Sequence, residues 1–201
     1  RGYALVLGSA DAKLAAALAM QSDLVVIAAV APTGGLDAER SQLARSRLYG
    51  SRLVVDPLPE AKPLAYPHYF ANLVVLAAEV PGLSPAEIYR VLRPCGGKLL
   101  LGRFTDEMAG RFLQAAQIPR DEGERSGTDW IVTRGRLPGA GEWRCQWADA
   151  GRTGIGNESR VRLPLELLWF GGPGPDRMMP RHWATSTPLS VDGRVFVTGS
   201  D

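Results

Sequence analysis

The chain has 201 residues, with 23 basic and 21 acidic side chains and a formal charge of +2, which suits one domain plus an appendage and gives no electrostatic footprint for nucleic acid. Lysine occurs only at Lys13, Lys62 and Lys98, and no block of like charge forms a binding stripe. Two cysteines, Cys95 and Cys145, read as free thiols, and two histidines, His68 and His182, exclude a disulfide framework and a zinc pattern; no apolar run approaches the about 18 residues of a membrane span.

Tyr3 to Leu7 is apolar without alternation, as a strand buried on both faces requires, and Gly8 permits a sharp exit. Ser9 or Asp11 can cap a helix over Ala10 to Met20, whose first N–H groups make the turn a candidate nucleotide cradle. The same turn serves α/β proteins that bind nothing there. Asp23 to Val30 is a second buried strand, Asp37 to Tyr49 a helix stopped by Gly50, and Ser51 to Asp56 a third strand closed by Pro57 and Pro59. A proline-rich loop runs to Phe70. Asn72 to Ala77 is the fourth strand, Ser84-Pro-Ala-Glu87 a capping box opening a helix to Leu92, and Gly97 to Gly102 the fifth strand. Asp106 to Gln117 has helical spacing, and Ile118 to Arg125 with Thr128 to Arg134 reads as an antiparallel pair.

This alternation predicts right-handed crossovers and a doubly wound, mostly parallel α/β sheet over residues 1–134. Its ligand crevice lies beyond the carboxyl ends of the strands, where Gly8, Ser9, Ala10, Asp11, Ala31, Asp56, Pro57, Leu58 and Leu76 converge with Glu79. No pair among them is a catalytic constellation. His68 with Tyr69, on the loop toward this crevice, is either an acid–base pair or a solvated loop histidine.

Ile88 to Leu101, with its Leu92-Arg-Pro-Cys-Gly-Gly97 turn, resembles the segment that enters the fifth strand of class I S-adenosylmethionine-dependent methyltransferases. Leu64 to Val75 is similar to the entry of that family's fourth strand, and Asp56 matches its adenine-contacting acid. The resemblance implies a Rossmann-like sheet of strand order 3-2-1-4-5-7-6, S-adenosylmethionine as cofactor and, if the protein is active, a small-molecule methyl acceptor. The chain also departs from the pattern. Ala10 and Ala12 stand where the first loop carries glycines, Val30-Ala31-Pro32 has no ribose-binding acid, and Asn72 replaces an acid. These departures imply a degenerate, weakly binding site. Asp11 is either a partial substitute for the missing acid or a helix-start carboxylate.

From 135 to 201 helical periodicity gives way to closely spaced glycines and to Trp143, Trp147, Trp169 and Trp183. Leu165 to Phe170 reads as a strand, and Leu189 to Val197 as a hairpin about Asp192-Gly193 with a type I′ turn. Gly171 to Asp176 is turn material, Met178 and Met179 local packing, and His182 an interface residue. With Trp147 to Thr153 and Thr187 to Asp201, this β-rich tail resembles the entry and first blade of a quinoprotein (PQQ-like) β-propeller. That resemblance implies missing blades of a parent chain as partner; PQQ itself is not expected in the segment. The start without Met, inside a strand pattern and with no signal peptide, is the expectation for a fragment and leaves location open. Two functions follow: a methyltransferase with a relaxed cofactor site, or a non-catalytic scaffold beside a propeller.

Overall fold

The computed structural model describes residues 2–30, 36–45, 47–58, 63–164 and 186–198. Ala31, Pro32, Pro59 and the features expected between 165 and 185, among them Trp169, Met178, Met179, His182 and Trp183, lie outside the described residues. The chain divides into two compact units, Arg1–Gly135 and Arg136–Asp201.

In the first unit β1 (Gly2–Leu7), β2 (Leu24–Val30), β3 (Leu53–Pro57), β4 (Leu73–Leu76) and β5 (Lys98–Leu101) are parallel, while β6 (Gly123–Ser126) and β7 (Asp129–Thr133) are antiparallel additions. The order is β3-β2-β1-β4-β5-β7-β6, as expected from the alternation and the resemblance. β1 is central, registered Leu7↔Ala29 with β2 and Leu7↔Leu76 with β4. Successive strand residues face opposite sides, so both parities must be apolar when both faces are buried. Leu5, Leu7, Val74 and Leu76 enter one core with α3 (Pro85–Val91) and α4 (Asp106–Ala115). Ala4, Val6, Val26 and Ala28 enter the other beneath α1 (Lys13–Gln21). Ala12, Ala15 and Ala19 form the buried stripe at α1 and let it sit close to the strands. Arg52 closes that helix by donating to the Ala19 and Ser22 carbonyls.

Several boundaries differ from expectation. α1 begins three residues late, at Lys13, because residues 8–12 form a longer turn. α2 (Leu36–Leu43) ends well before Tyr49; the Leu48 carbonyl instead accepts N–H groups from Ser51, Arg52 and Leu53, turning the chain into β3. α4 stops at Ala115 and β6 starts only at Gly123. Gln117, at φ +53°, and the bonds Gln117 N–H to Gln114 O and Ile118 N–H to Leu113 O make a Schellman stop, which seats Ile118 in the core before it can enter a strand. At α3, Ser84 accepts the Glu87 N–H as a cap should, but the reciprocal arm of the box is diverted, since the Glu87 carboxylate engages Arg90 and the Leu64 N–H.

Among the described residues Arg134 is the one buried charged side chain. Its Nη1 donates to the carbonyls of Tyr89 (2.6 Å) and Leu92 (2.5 Å) at the end of α3, where a cation complements the helix dipole. The guanidinium lies 4.0 Å from the Tyr89 ring centroid and 5.1 Å from that of Tyr69.

In the second unit β8 (Leu189–Val191) and β9 (Arg194–Phe196) pair antiparallel about Asp192 (φ +48°) and Gly193 (φ +70°), the two positive angles of a type I′ turn. Trp143 and Ser190 exchange two backbone hydrogen bonds of 2.8 Å. Glu142 binds Arg136 and Arg144 and accepts the Asp192 N–H, joining the hairpin to the segment before it.

Arg134→Met should destabilise the first unit by roughly 2–4 kcal/mol, because the buried Leu92 carbonyl loses its donor, the Tyr89 carbonyl keeps only the Leu92 N–H, and the stacking is lost. Arg134→Lys should recover only part of this, having no planar fork. Denaturant midpoints of the three proteins test the ranking, and equal midpoints would refute it.

Candidate functional site

The crevice is set by where the parallel strands end. β1 exits into Gly8 (φ +69°), and a Cβ at this position would overlap the carbonyl oxygen of Ala78, just beyond β4. Gly8 is therefore required by a backbone-to-backbone approach between two strand exits, which the Ala77 N–H to Leu7 O bond of 2.9 Å draws together. Beyond it the Ser9 hydroxyl donates to the Asp11 carbonyl at 2.7 Å, tightening the turn.

Asp11 is committed locally. Its Oδ1 accepts the Lys13 N–H at 3.0 Å, so it caps the helix from one position upstream of Ala12, and its Oδ2 lies 2.9 Å from the Lys13 ammonium. The bonds from Lys13 hold its carboxyl below the usual range and hold the ammonium above its own. Ala10 is exposed, whereas Ala12 is buried in the core beneath α1. Of the two alanines, only Ala10 stands in the open part of the turn.

Asp56 lies one residue before the end of β3, half-buried, with Pro57 exposed beside it. A terminal proline is tolerated because β3 is an edge strand. Leu58 continues the ladder through its N–H to the Val30 carbonyl (2.9 Å) and packs against the first core, while Leu76 is buried at the end of β4. The Asp56 Oδ2 accepts the hydroxyl of Tyr66 at 3.1 Å. Burial, followed by the charge and hydrogen bond of Asp56, pushes the Tyr66 phenol upward, so it keeps its proton and donates. Tyr66 was not apparent as a site residue: the only sequence signal is an aromatic in a proline-rich loop ten residues beyond Asp56.

The segment carrying Tyr66 is itself anchored. Glu87 Oε1 accepts the Leu64 N–H at 2.7 Å, Arg90 Nη2 donates to the carbonyls of Leu64 (3.0 Å) and Tyr66 (2.9 Å), and Glu87 and Arg90 pair at 2.5 Å. The Arg90 guanidinium, with the Leu64 N–H, holds the Glu87 carboxyl below its ordinary range. Tyr66 stacks on Phe70, with centroids 5.4 Å apart, and Phe70 stacks on Tyr3 at 4.5 Å.

His68 and Tyr69 are not at the crevice. Tyr69 donates its N–H to the Arg90 carbonyl, faces Arg134, and lies two residues before the Ala71↔Leu92 bridge, at the amino edge of the sheet. The exposed His68 ring packs edge-on to it at 5.7 Å. Asn72 is at that same edge, where its Oδ1 accepts the Tyr3 N–H. Neither can serve a reaction at the carboxyl ends.

On the α1 side a cavity of about 460 Å³ is lined by Leu14, Leu18, Leu73, Val75 and Leu100, with Ala77, Gly102, Arg103 and Asp129 at the carboxyl edge. Asp129 fixes that edge by accepting the Arg103 N–H at 2.8 Å. Among the described residues no group of three His, Cys, Asp or Glu could hold a metal ion, and no helix is long and apolar enough to cross a membrane.

No protein-family model and no curated protein matches the chain. Among solved structures, it is similar to the S-adenosylmethionine-dependent methyltransferase SibL in its apo form, with TM-score 0.51 and 20% identity over 67% of this chain and 51% of that one. It thus spans about half the length of SibL. A protein from Methanococcus maripaludis, provisionally described as an S-adenosyl-L-methionine-dependent methyltransferase, gives TM-score 0.49 and 19% identity over 68% and 78% of the two chains. The 1,6-didemethyltoxoflavin-N1-methyltransferase of Burkholderia thailandensis, solved with S-adenosylhomocysteine, gives 0.42 and 17% over 65% and 68%. Sheet order and the likeness to SibL establish a methyltransferase-like, Rossmann-like fold, and at these identities fold alone.

Two substitutions test this framework without a ligand. Gly8→Ala should destabilise by more than the about 1–2 kcal/mol of a left-handed residue, because the methyl also meets the Ala78 carbonyl; a denaturant midpoint within error of the parent would refute the close approach. Glu87 has a lowered carboxyl, so its contribution to stability is complete above the ordinary glutamate range and fades as pH falls through its folded value. Glu87→Gln should therefore lose about 1.5–3 kcal/mol near neutrality and converge with the parent well below about pH 4. Parallel melting curves at every pH would contradict it.

Proposed function

We propose that the chain is an S-adenosylmethionine-binding, methyltransferase-like domain with a weakened cofactor site. The observation that carries this is Asp56: a half-buried carboxylate at the end of β3, beside Leu58, with one oxygen held by Tyr66. Taking a carboxylate partly out of water has a cost that a single phenol offsets only in part. Gly8, Ser9, Ala10, Asp11, Ala31, Pro57 and Leu76 are the further residues proposed to surround the cofactor.

The bound cofactor would supply an activated methyl group on a sulfonium sulfur. The chain's own part is then positioning: Asp56 to orient the purine, the turn after β1 to approach the rest, and the apolar groove beside α1 to hold a small-molecule acceptor. The site is weakened because Val30 is followed by no carboxylate and Asp11 is engaged by Lys13. A lost charge-assisted hydrogen bond of about 1.5–3 kcal/mol reduces affinity roughly ten- to a hundredfold.

The second reading is a non-catalytic scaffold beside a PQQ-like propeller. It is favoured by the type I′ hairpin of the second unit, and Gly8, which the approach of Ala78 requires with or without a ligand, is consistent with it.

Calorimetric titration with S-adenosylmethionine and S-adenosylhomocysteine decides between them. Binding in the range of tens to hundreds of micromolar, weakened about tenfold or more by Asp56→Ala, is the expected result. Absence of binding at millimolar ligand would leave the scaffold reading.

A further inference from the structure

The segment between β3 and β4 has no helix among its described residues, and Tyr66 is nonetheless one of the most firmly held side chains near the crevice. Its backbone is fixed at the residue and two residues before it, by Glu87 at the Leu64 N–H and by Arg90 at the Leu64 and Tyr66 carbonyls, and its ring stacks on Phe70 at an interplanar angle of 10°. The hydroxyl ends on Asp56 Oδ2. A carboxylate has a soft, two-fold terminal torsion and by itself presents its oxygens over a broad arc. With Oδ2 pinned, that torsion is set. Among the described residues Tyr66 is the sole hydrogen-bond partner of the Asp56 carboxylate, so Oδ1 retains its acceptor capacity.

We infer that Tyr66 is a positioning residue that fixes Asp56 as a one-sided acceptor, so that the site selects a 6-aminopurine over a 6-oxopurine. This rests on the cofactor reading above. An ionised carboxylate only accepts hydrogen bonds. It takes an N–H from an exocyclic amine, whereas an oxo group in the same place would set lone pairs against lone pairs, and the N1–H of an oxopurine reaches the carboxylate only if the base or the carboxylate shifts. Without the phenol the carboxylate can turn away from either ligand, which removes both the reward for the amine and the penalty for the oxo group. Tyr66 then acts on the difference between two ligands rather than on binding as such, and an element that merely shaped the fold would weaken both alike.

The test uses S-adenosylhomocysteine and its inosine counterpart, titrated calorimetrically into the full chain and into Tyr66→Phe and Asp56→Asn. Phe keeps the ring stack and removes only the hydroxyl, and thermal melting of each variant checks that it is folded. The parent should bind the amino ligand at least about tenfold more tightly than the oxo ligand. Tyr66→Phe should narrow that ratio several-fold, chiefly through weaker amino-ligand binding, with the oxo ligand unchanged or slightly tighter. Asp56→Asn, whose amide can donate as well as accept, should abolish the preference. A Tyr66→Phe protein that keeps the parental ratio, or that loses affinity for both ligands equally, overturns the assignment while leaving the cofactor reading intact. If the parent binds neither ligand, the cofactor reading fails, and the selectivity with it.

Discussion

A mostly parallel sheet must bury both of its faces, and nearly every feature of the first unit follows from that constraint. It is why β1 and β2 are apolar at every position and why α1 presents alanines to the strands. The constraint also governs the connection from β3 to β4, where the sheet face is covered by Tyr66, Phe70 and Tyr3 stacked in series. Loop backbone brought against a sheet has polar groups to satisfy. The Arg90–Glu87 pair does this, its guanidinium taking two carbonyls and its carboxylate one N–H. A pair with both side chains this little exposed (20% and 14%) would otherwise be a weak source of stability. Here its worth lies in the loop it orders.

The carboxyl and amino edges of the sheet consequently have different jobs. At the amino edge Arg134, Tyr89, Tyr69 and Asn72 hold α3 and the strand starts together. At the carboxyl edge the turns are shorter of partners, and there Asp56 keeps an oxygen that nothing among the described residues takes.

The strands were legible because burial on two faces writes itself as uninterrupted Val, Leu and Ala, and their order followed from alternation with helices. Helix ends were less so. The stop of α4 has the geometry that glycine usually marks, but Gln117 occupies the left-handed position, and a pattern reader passes through it to Ile118. Ser84 was read correctly as a cap, while the fate of Glu87 depended on Leu64, 23 residues earlier and on another element. For His68 the solvated-loop alternative holds, its ring being exposed, but its edge is not where the loop was expected: sequence order places a loop between two strands without saying over which edge its residues lie. Tyr66 was hidden for the same reason. Its partnership with Asp56 depends on how a proline-rich segment crosses the sheet, and no local propensity encodes that.

The structure also changes what the missing motif residues signify. Ala12 looked like an obstacle to a cofactor, but it belongs to the helix–sheet contact, where an alanine is what the packing requires. Gly8 looked like the surviving fragment of a binding loop, but the approach of Ala78 would demand a glycine there with no ligand at all. Neither residue discriminates between enzyme and scaffold, because the fold uses both. Asp56 is the residue on which the proposed cofactor reading rests. Nothing in the two cores needs a carboxylate at that position, and holding one half-buried sacrifices hydration that a single phenol only partly replaces. Tyr66 and the Arg90–Glu87 anchor also serve the loop that covers the sheet, so of this series only the Asp56 carboxylate bears on the choice, and a domain that reads a purine has a use for it. The weight of the cofactor reading therefore rests on the end of β3, away from the glycine turn where the family resemblance would have placed it.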